Sequence, residues 1–241
     1  MTQKEDWNYS AQELLQKFDV TEQGLNNARV EEIRRLTGEN ILQEGKKKST
    51  LEVFLGQFCD LLVVILIIAA IISMFSGNTE STIVILLVLI MNAVLGTVQH
   101  VKAQRSLESL KQLSAPNAKV IRNGVKQEVP SREIVPGDIV MLEAGDMIVA
   151  DGRILHNYSL QVNESSLTGE STNVEKTDTV IEGKAALADR VNMVYSGSLV
   201  TYGRAQVLVT GTGMKTELGK IAGLMNAAKE RKTPLQESLD K

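Results

Sequence analysis

The chemistry-bearing stretch of this chain is Ser165-Ser166-Leu167-Thr168-Gly169-Glu170-Ser171, a polar loop with β-patterned sequence on both sides. Gly169 accepts backbone conformations that a residue with a Cβ resists, so the chain can turn there. Glu170 beside it is a short-tethered carboxylate among hydroxyl residues, and such a loop can hold one acid out towards a partner. An acid so placed can take a proton from water or orient it. Taken alone, Thr-Gly-Glu-Ser reads more readily as a solvated hairpin tip whose acid does nothing. Its meaning depends on its surroundings.

Other candidate groups are few. Asp60 stands at the margin of an apolar run, where a carboxylate is either functional or an acid reaching back to the interface. Cys59 is the one cysteine, which excludes an internal disulfide and a multi-cysteine metal site; it reads as a small buried apolar residue. His100 and His156 lie far apart without neighbouring ligands, so zinc chemistry has little support, and His100 reads as solvated. Gly211-Thr212-Gly213 completes neither glycine fingerprint of nucleotide sites, because Thr216 replaces the third glycine and no glycine lies five residues before Gly219-Lys220. That turn is expected to cap a helix over Thr216 to Lys229, with Leu218, Ile221, Leu224, Met225 and Ala228 on its apolar side.

The elements that must carry these groups fall into sharply different compositions. The 241 residues have a formal net charge of -3, which argues against a nucleic-acid partner. Apolar residues make up 43% and crowd into Leu51 to Val101. Met1 to Glu52 has no apolar stretch near its start, so the first membrane segment is expected to act as its own insertion signal. Leu61 to Phe75, with its lead-in Leu51 to Asp60, exceeds the ~20 residues that span a bilayer. Thr82 to Val98 supplies a second run, with Asn92 as its polar break, and Ser76 to Ser81 joins the two as a helical hairpin. Lys46, Lys47 and Lys48 precede the first run, Lys102 and Arg105 follow the second, and the connecting loop has no Lys or Arg. The positive-inside rule then puts both outer ends in the cytosol, and the sequons at Asn8, Asn157 and Asn163 become chance matches.

Short helices are expected at Ala11 to Phe18 and Asn26 to Leu36, the latter with Ala28, Ile33 and Leu36 on one face and Gly38 at its end. Leu107, Leu110 and Leu113 extend the second membrane helix as a stalk that Pro116 ends. Beyond it the period becomes two, and Asn123-Gly124 between Ala118–Arg122 and Val125–Val129 is a strong hairpin signal. Further strands are expected at Asp138–Leu142, Gly152–Leu155, Leu160–Val162, Met193–Leu199 and Gly203–Val209, with Val135-Pro136-Gly137-Asp138 as a tight turn. Many short strands separated by turn residues suggest a small sandwich or jelly roll.

Taken together, Thr168-Gly169-Glu170-Ser171, the upstream Val-Pro-Gly-Asp turn, Thr212 to Ile221 and the two apolar runs resemble the N-terminal part of a P-type cation-transporting ATPase, of the calcium-pump type. The resemblance runs from about residue 10 to the end. It implies a transmembrane helical hairpin carrying a cytosolic distorted β jelly roll, the actuator domain, with short helices. The implied layout is a helical lead-in at 1–50, two membrane helices at 51–101, a stalk at 102–115, the jelly roll at 116–215, and at 216–241 a helix and connector to a third membrane helix. Three connectors, Glu44–Thr50, Lys102–Ala115 and Lys229–Asp240, would transmit rotation of that domain to the membrane.

By this resemblance Glu170 positions the water that hydrolyses an aspartyl phosphate, with Thr168, Gly169 and Ser171 shaping its loop. Gln57-Phe58-Cys59-Asp60-Leu61-Leu62 is similar to a stretch lining a cation entry route, which would place Asp60 there, although Cys59 replaces an acid. Val149 and Asn163 likewise stand where the family usually has proline and aspartate. The implied partners are the lipid bilayer, a transported cation, calcium above others, and the phosphorylation and nucleotide domains of the same parent. ATP and magnesium are expected to bind there, outside this chain, for it has no Asp-Lys-Thr-Gly-Thr motif. The segment alone is then expected to be inactive, and a bacterial plasma membrane is the expected location. Two alternatives stay open: a pump for sodium, potassium, magnesium or protons, and a non-enzymatic membrane-anchored β module that docks other proteins.

Overall fold

A computed structural model describes residues 4–42, 49–113, 116–170 and 172–229 of the chain, which divides into two units. One unit combines residues 1–44 with 116–241, and the other is 45–115. Ser171, Lys46 to Lys48 and the connector from Thr233 onwards lie outside the described residues.

Two capped helices open the first unit. Helix α1 (Ala11–Lys17) starts at Ser10, whose hydroxyl accepts from the Glu13 N–H while the Glu13 carboxylate accepts from the Ser10 N–H, a reciprocal cap. Helix α2 (Asn27–Thr37) is capped by the Asn26 side chain and ends at Gly38, which takes φ 81°. The buried face of α2 differs from the expected one. Val30 is buried with Ile33 beside it, whereas Ala28 is exposed and Leu36 is 81% exposed. Arg34 on the same side reaches the Glu133 carbonyl, which rotates the contact face away from Leu36.

The second unit contains α3 (Thr50–Gly56), a 3-10 turn (Gln57–Cys59), α4 (Leu61–Phe75) and α5 (Thr79–Leu113). The expected continuous first span is broken at Asp60. This residue is extended (φ -70°, ψ 137°), and its carbonyl accepts from the Val64 N–H to begin α4. The axes of Thr50–Cys59 and Val63–Phe75 differ by 66°. Cys59 is exposed rather than buried, at the end of the short 3-10 turn Gln57–Cys59. Helix α5 runs unbroken past Asn92, and its section Thr79–Leu107 is long and apolar enough to cross a membrane. Only 17% of its most apolar stretch is buried. Leu89, Ala93 and Thr97 form its buried stripe at helical spacing, and the Thr97 hydroxyl donates to the Ala93 carbonyl, so it faces no partner deficit there. Among the described residues, one helix meets the length requirement, or two if the bent pair is one span.

The rest of the first unit is β structure: β1 (Asn117–Arg122), β2 (Val125–Pro130), β3 (Ile139–Glu143), β4 (Asp151–Asn163), then α6 (Ser165–Thr168), β5 (Asn173–Glu175), β6 (Met193–Val194), β7 (Leu199–Gly211) and α7 (Glu217–Lys229). The strands pair antiparallel in the order β2-β1-β3-β7-β4-β5, with β6 beside β4. Asn123 and Gly124 both take positive φ, 53° and 73°, and make the β1–β2 hairpin. The separate strands expected at Gly152–Leu155 and Leu160–Val162 are one strand, β4, bent by several register shifts against β7. The strand expected over Met193–Leu199 is split: Met193 and Val194 form β6 and Leu199 starts β7, because Ser196 to Ser198 turn between them.

Period-two burial gives this sheet two apolar faces. Val120, Val140, Ile154, Val207 and Val209 belong to one core, while their neighbours Ile121, Ile139, Leu155 and Leu208 join Leu14, Val20, Leu25 and Val30 in another. The N-terminal helices thus cover a face that the sheet could not leave wet. In α7, Leu218 is half-buried but Ile221, Leu224 and Met225 are exposed, so the expected apolar side is uncovered among the described residues.

Candidate functional site

The loop bearing Glu170 is rooted in the antiparallel pair of β4 and β5, where Asn163 faces Asn173. Its first turn is set by side chains. Asn163 Oδ1 accepts from the Ser165 N–H at 3.1 Å, and the Glu164 carbonyl accepts from the Leu167 and Thr168 N–H groups and from the Thr168 hydroxyl. Gly169 then ends α6 at φ 77°, a left-handed conformation that costs an L residue about 1–2 kcal/mol. Nothing lies within 4 Å of a Cβ placed there, so the requirement for glycine is conformational rather than steric.

Thr168 is half-buried and its hydroxyl accepts from the Glu170 N–H at 3.3 Å, fixing the backbone of the acid. The Glu170 side chain is exposed, with no hydrogen-bond or ion-pair partner among the described residues. Thr168, Gly169 and Glu170 therefore follow a turn whose root is hydrogen-bonded. Asp60 belongs to the other unit, at the break between α3 and α4. Ser166 ties the loop sideways, donating to the Gly197 carbonyl at 3.2 Å.

Several polar residues that hold this region were not singled out from the sequence for these contacts. Beneath the loop, Glu164 and Lys176 form an ion pair at 2.5 Å with both side chains 1% exposed. Asp151 is buried and accepts from the Ser196 N–H at 2.8 Å and the Glu217 N–H at 2.7 Å, so it caps α7 and holds the turn that carries Gly197. Burial pushes its carboxyl up to about 6, against the lowering effect of those two donors. Arg153 is fully buried, and burial pushes it down to about 10; its guanidinium donates to backbone carbonyls including those of Ile154 and Asp178. A charged residue inside a β-run was the one available signal for Arg153; nothing in the sequence pointed to its carbonyl partners.

The turns flagged in the sequence have structural tasks. Asp138 of the Val-Pro-Gly-Asp turn is completely buried, accepting from Arg122 Nε at 2.8 Å, Arg122 Nη2 at 2.6 Å and the Val135 N–H at 2.9 Å. In the Gly211-Thr212-Gly213 turn, the Gly213 N–H, a donor that a phosphate would need, already donates to Asn40 Oδ1 at 2.7 Å. Thr216 donates to the Gly213 carbonyl and accepts from the Gly219 N–H, which closes the start of α7. The turn is thus a helix cap occupied by protein.

Two family models match this chain. Residues 112–226 match the family model described as P-type ATPase actuator domain, and 6–73 match that described as cation transporter/ATPase, N-terminus. The chain is 46% identical over 236 residues to a calcium-transporting ATPase of Listeria monocytogenes, covering 98% of this chain and 27% of that relative. It is 47% identical over 235 residues to calcium-transporting ATPase 1 of Lactococcus lactis, again 98% and 27%. A calcium-transporting ATPase of Bacillus subtilis is 42% identical over 219 residues, 90% of this chain and 25% of the relative. The chain spans about a quarter of the length of the curated relatives it matches.

Proposed function

The chain belongs to the P-type cation-transporting ATPases, whose actuator and N-terminal regions it carries, and from that premise we propose that it serves a calcium pump as the unit that triggers dephosphorylation. Glu170 is the acting group, and its exposed carboxylate on a rooted loop is the observation that carries the reading. In the reaction a water oxygen attacks phosphorus in line, the bond from phosphorus to the aspartyl oxygen breaks, and inorganic phosphate leaves. Glu170 accepts the proton of the attacking water and aligns its lone pair, worth about 10²–10⁴ in rate. Thr168 holds the Glu170 backbone and Gly169 supplies the turn; the resemblance assigns Ser171, which lies outside the described residues, to the same motif.

The aspartate, ATP and magnesium belong, on this reading, to other domains of a longer parent, and the segment by itself turns over no ATP. Calcium is the proposed cargo because the relatives above are named for it. The sheet unit is proposed to be the distorted jelly roll on the cytosolic side of a bacterial plasma membrane, with α3–α4 and α5 crossing as a hairpin and Asp60 near the ion entry. The mostly exposed apolar surface of α5 supports a lipid environment, since such a surface is costly in water.

The test is the decay of acyl phosphate in the full-length pump that contains this segment. Glu170→Ala is expected to slow decay by about 10²–10⁴ while phosphorylation from ATP persists. Normal decay in that variant would support a docking module instead.

A further inference from the structure

The Glu164–Lys176 pair is the least expected feature near the loop. Both side chains are 1% exposed, and beyond the 2.5 Å contact neither the carboxylate nor the ammonium has a hydrogen-bond partner among the described residues. Burial raises the carboxyl of Glu164 and lowers the amine of Lys176, so the attraction between them works against desolvation on both sides. A buried pair with so little further support is a weak source of stability, because desolvation opposes the attraction. Its presence beside the loop calls for another physical role.

Its place in the chain supplies one. Glu164 follows the last residue of β4, and its carbonyl starts α6. Lys176 follows the last residue of β5; its N–H donates to the Leu160 carbonyl at 2.9 Å and its carbonyl accepts from Asn157 Nδ2 at 2.6 Å. The ion pair therefore reaches from Glu164, where the loop begins, to Lys176 just past the far end of β5, and ties the start of the loop to the strand that receives its end. The Tyr195 ring closes the space, its centroid 5.8 Å from the Lys176 ammonium, on the turn whose Gly197 carbonyl receives Ser166.

We propose that Glu164 and Lys176 are positioning residues for the Glu170 loop: their ion pair selects one arrangement of the loop root and so fixes where the acid is presented. The inference rests on Glu170 being the dephosphorylating acid. Neither residue reaches the reacting atoms itself.

The experiment compares Lys176→Met, the double variant Glu164→Gln with Lys176→Met, and Glu170→Gln in the full-length pump. Three quantities are read: thermal unfolding, phosphorylation from ATP, and acyl-phosphate decay. Lys176→Met is expected to slow decay tenfold or more. The double variant, with no charge left buried, is expected to regain the unfolding midpoint and phosphorylation level of the parent while decay stays slow. Recovery of decay together with stability would show that the pair only stabilises the fold, and would overturn the proposal. If Lys176→Met does not fold, the double variant alone decides in the same way. Slow decay in Glu170→Gln with normal decay in both pair variants sinks the positioning role alone. Normal decay in Glu170→Gln sinks the Glu170 reading and this inference with it.

Discussion

Two turns in the β unit share the same local chemistry and have opposite fates. In each, a glycine with positive φ is followed by an acid: Gly137 (φ 96°) and Asp138, Gly169 (φ 77°) and Glu170. Asp138 is fully buried, accepts two hydrogen bonds from Arg122 and one from its own turn, and ties β1 to the start of β3. Glu170 is exposed, and among the described residues the one hydrogen bond it makes is from its backbone N–H to Thr168. A glycine–acid pair thus does not encode a task. The first acid is consumed by architecture, the second is left free by it, and the difference lies in whether a buried guanidinium faces the turn.

The largest structural effect should come from the first turn. Asp138→Ala leaves Arg122, 5% exposed, without its ionic partner, and is expected to cost about 3–5 kcal/mol in a urea titration of the full chain in detergent. The sole tryptophan, Trp7, stacked at 3.8 Å on Arg190, is the fluorescent reporter. A loss below ~1 kcal/mol would erase the distinction drawn between the two acids.

A third acid, Asp151, sharpens the contrast by its pH dependence. Its native carboxyl, raised from 3.8 to about 6 by burial, holds a proton more tightly than the unfolded chain does. Its contribution to stability is therefore full below pH ~4 and lost as pH rises through ~6, on the order of 3 kcal/mol. Subtracting the profile of Asp151→Asn from that of the parent should isolate this slope, and parallel profiles would contradict it.

Smaller again is Gly169→Ala. With no neighbour to clash, the change costs only the left-handed conformation, about 1–2 kcal/mol, so it should lower the urea midpoint less than Asp138→Ala does while slowing acyl-phosphate decay. Smallest is Lys119→Ala at the Gly145-Asp146 turn, where the exposed pairs to Glu143 and Asp146 predict less than ~1 kcal/mol.

How far these outcomes were legible in the sequence depends on the range of the interaction. The Asn123-Gly124 hairpin, the capped α1 and the start of α7 near Thr216 follow from local chemistry, and they recur within a residue or so of expectation. The face of α2 did not follow, because the Arg34–Glu133 contact that turns it is 99 positions apart. Nor did the break at Asp60, where an aliphatic run looked continuous but the chain starts a new helix. For the candidate site, the heptapeptide marked a turn at Gly169 with an acid beside it, and the structure has that turn with Glu170 exposed. The ion pair of Glu164 and Lys176 could not be read from the sequence, since charge in a strand-edge sequence ordinarily means exposure, and only the folded sheet buries the two against each other.

The most direct test of the contrast is to measure acyl-phosphate decay and the urea midpoint side by side for Glu170→Gln in the full-length pump. An exposed acid with a catalytic task predicts decay slowed by about 10²–10⁴ at an unchanged midpoint. Decay at the parent rate, or a midpoint that falls as for Asp138→Ala, would contradict it.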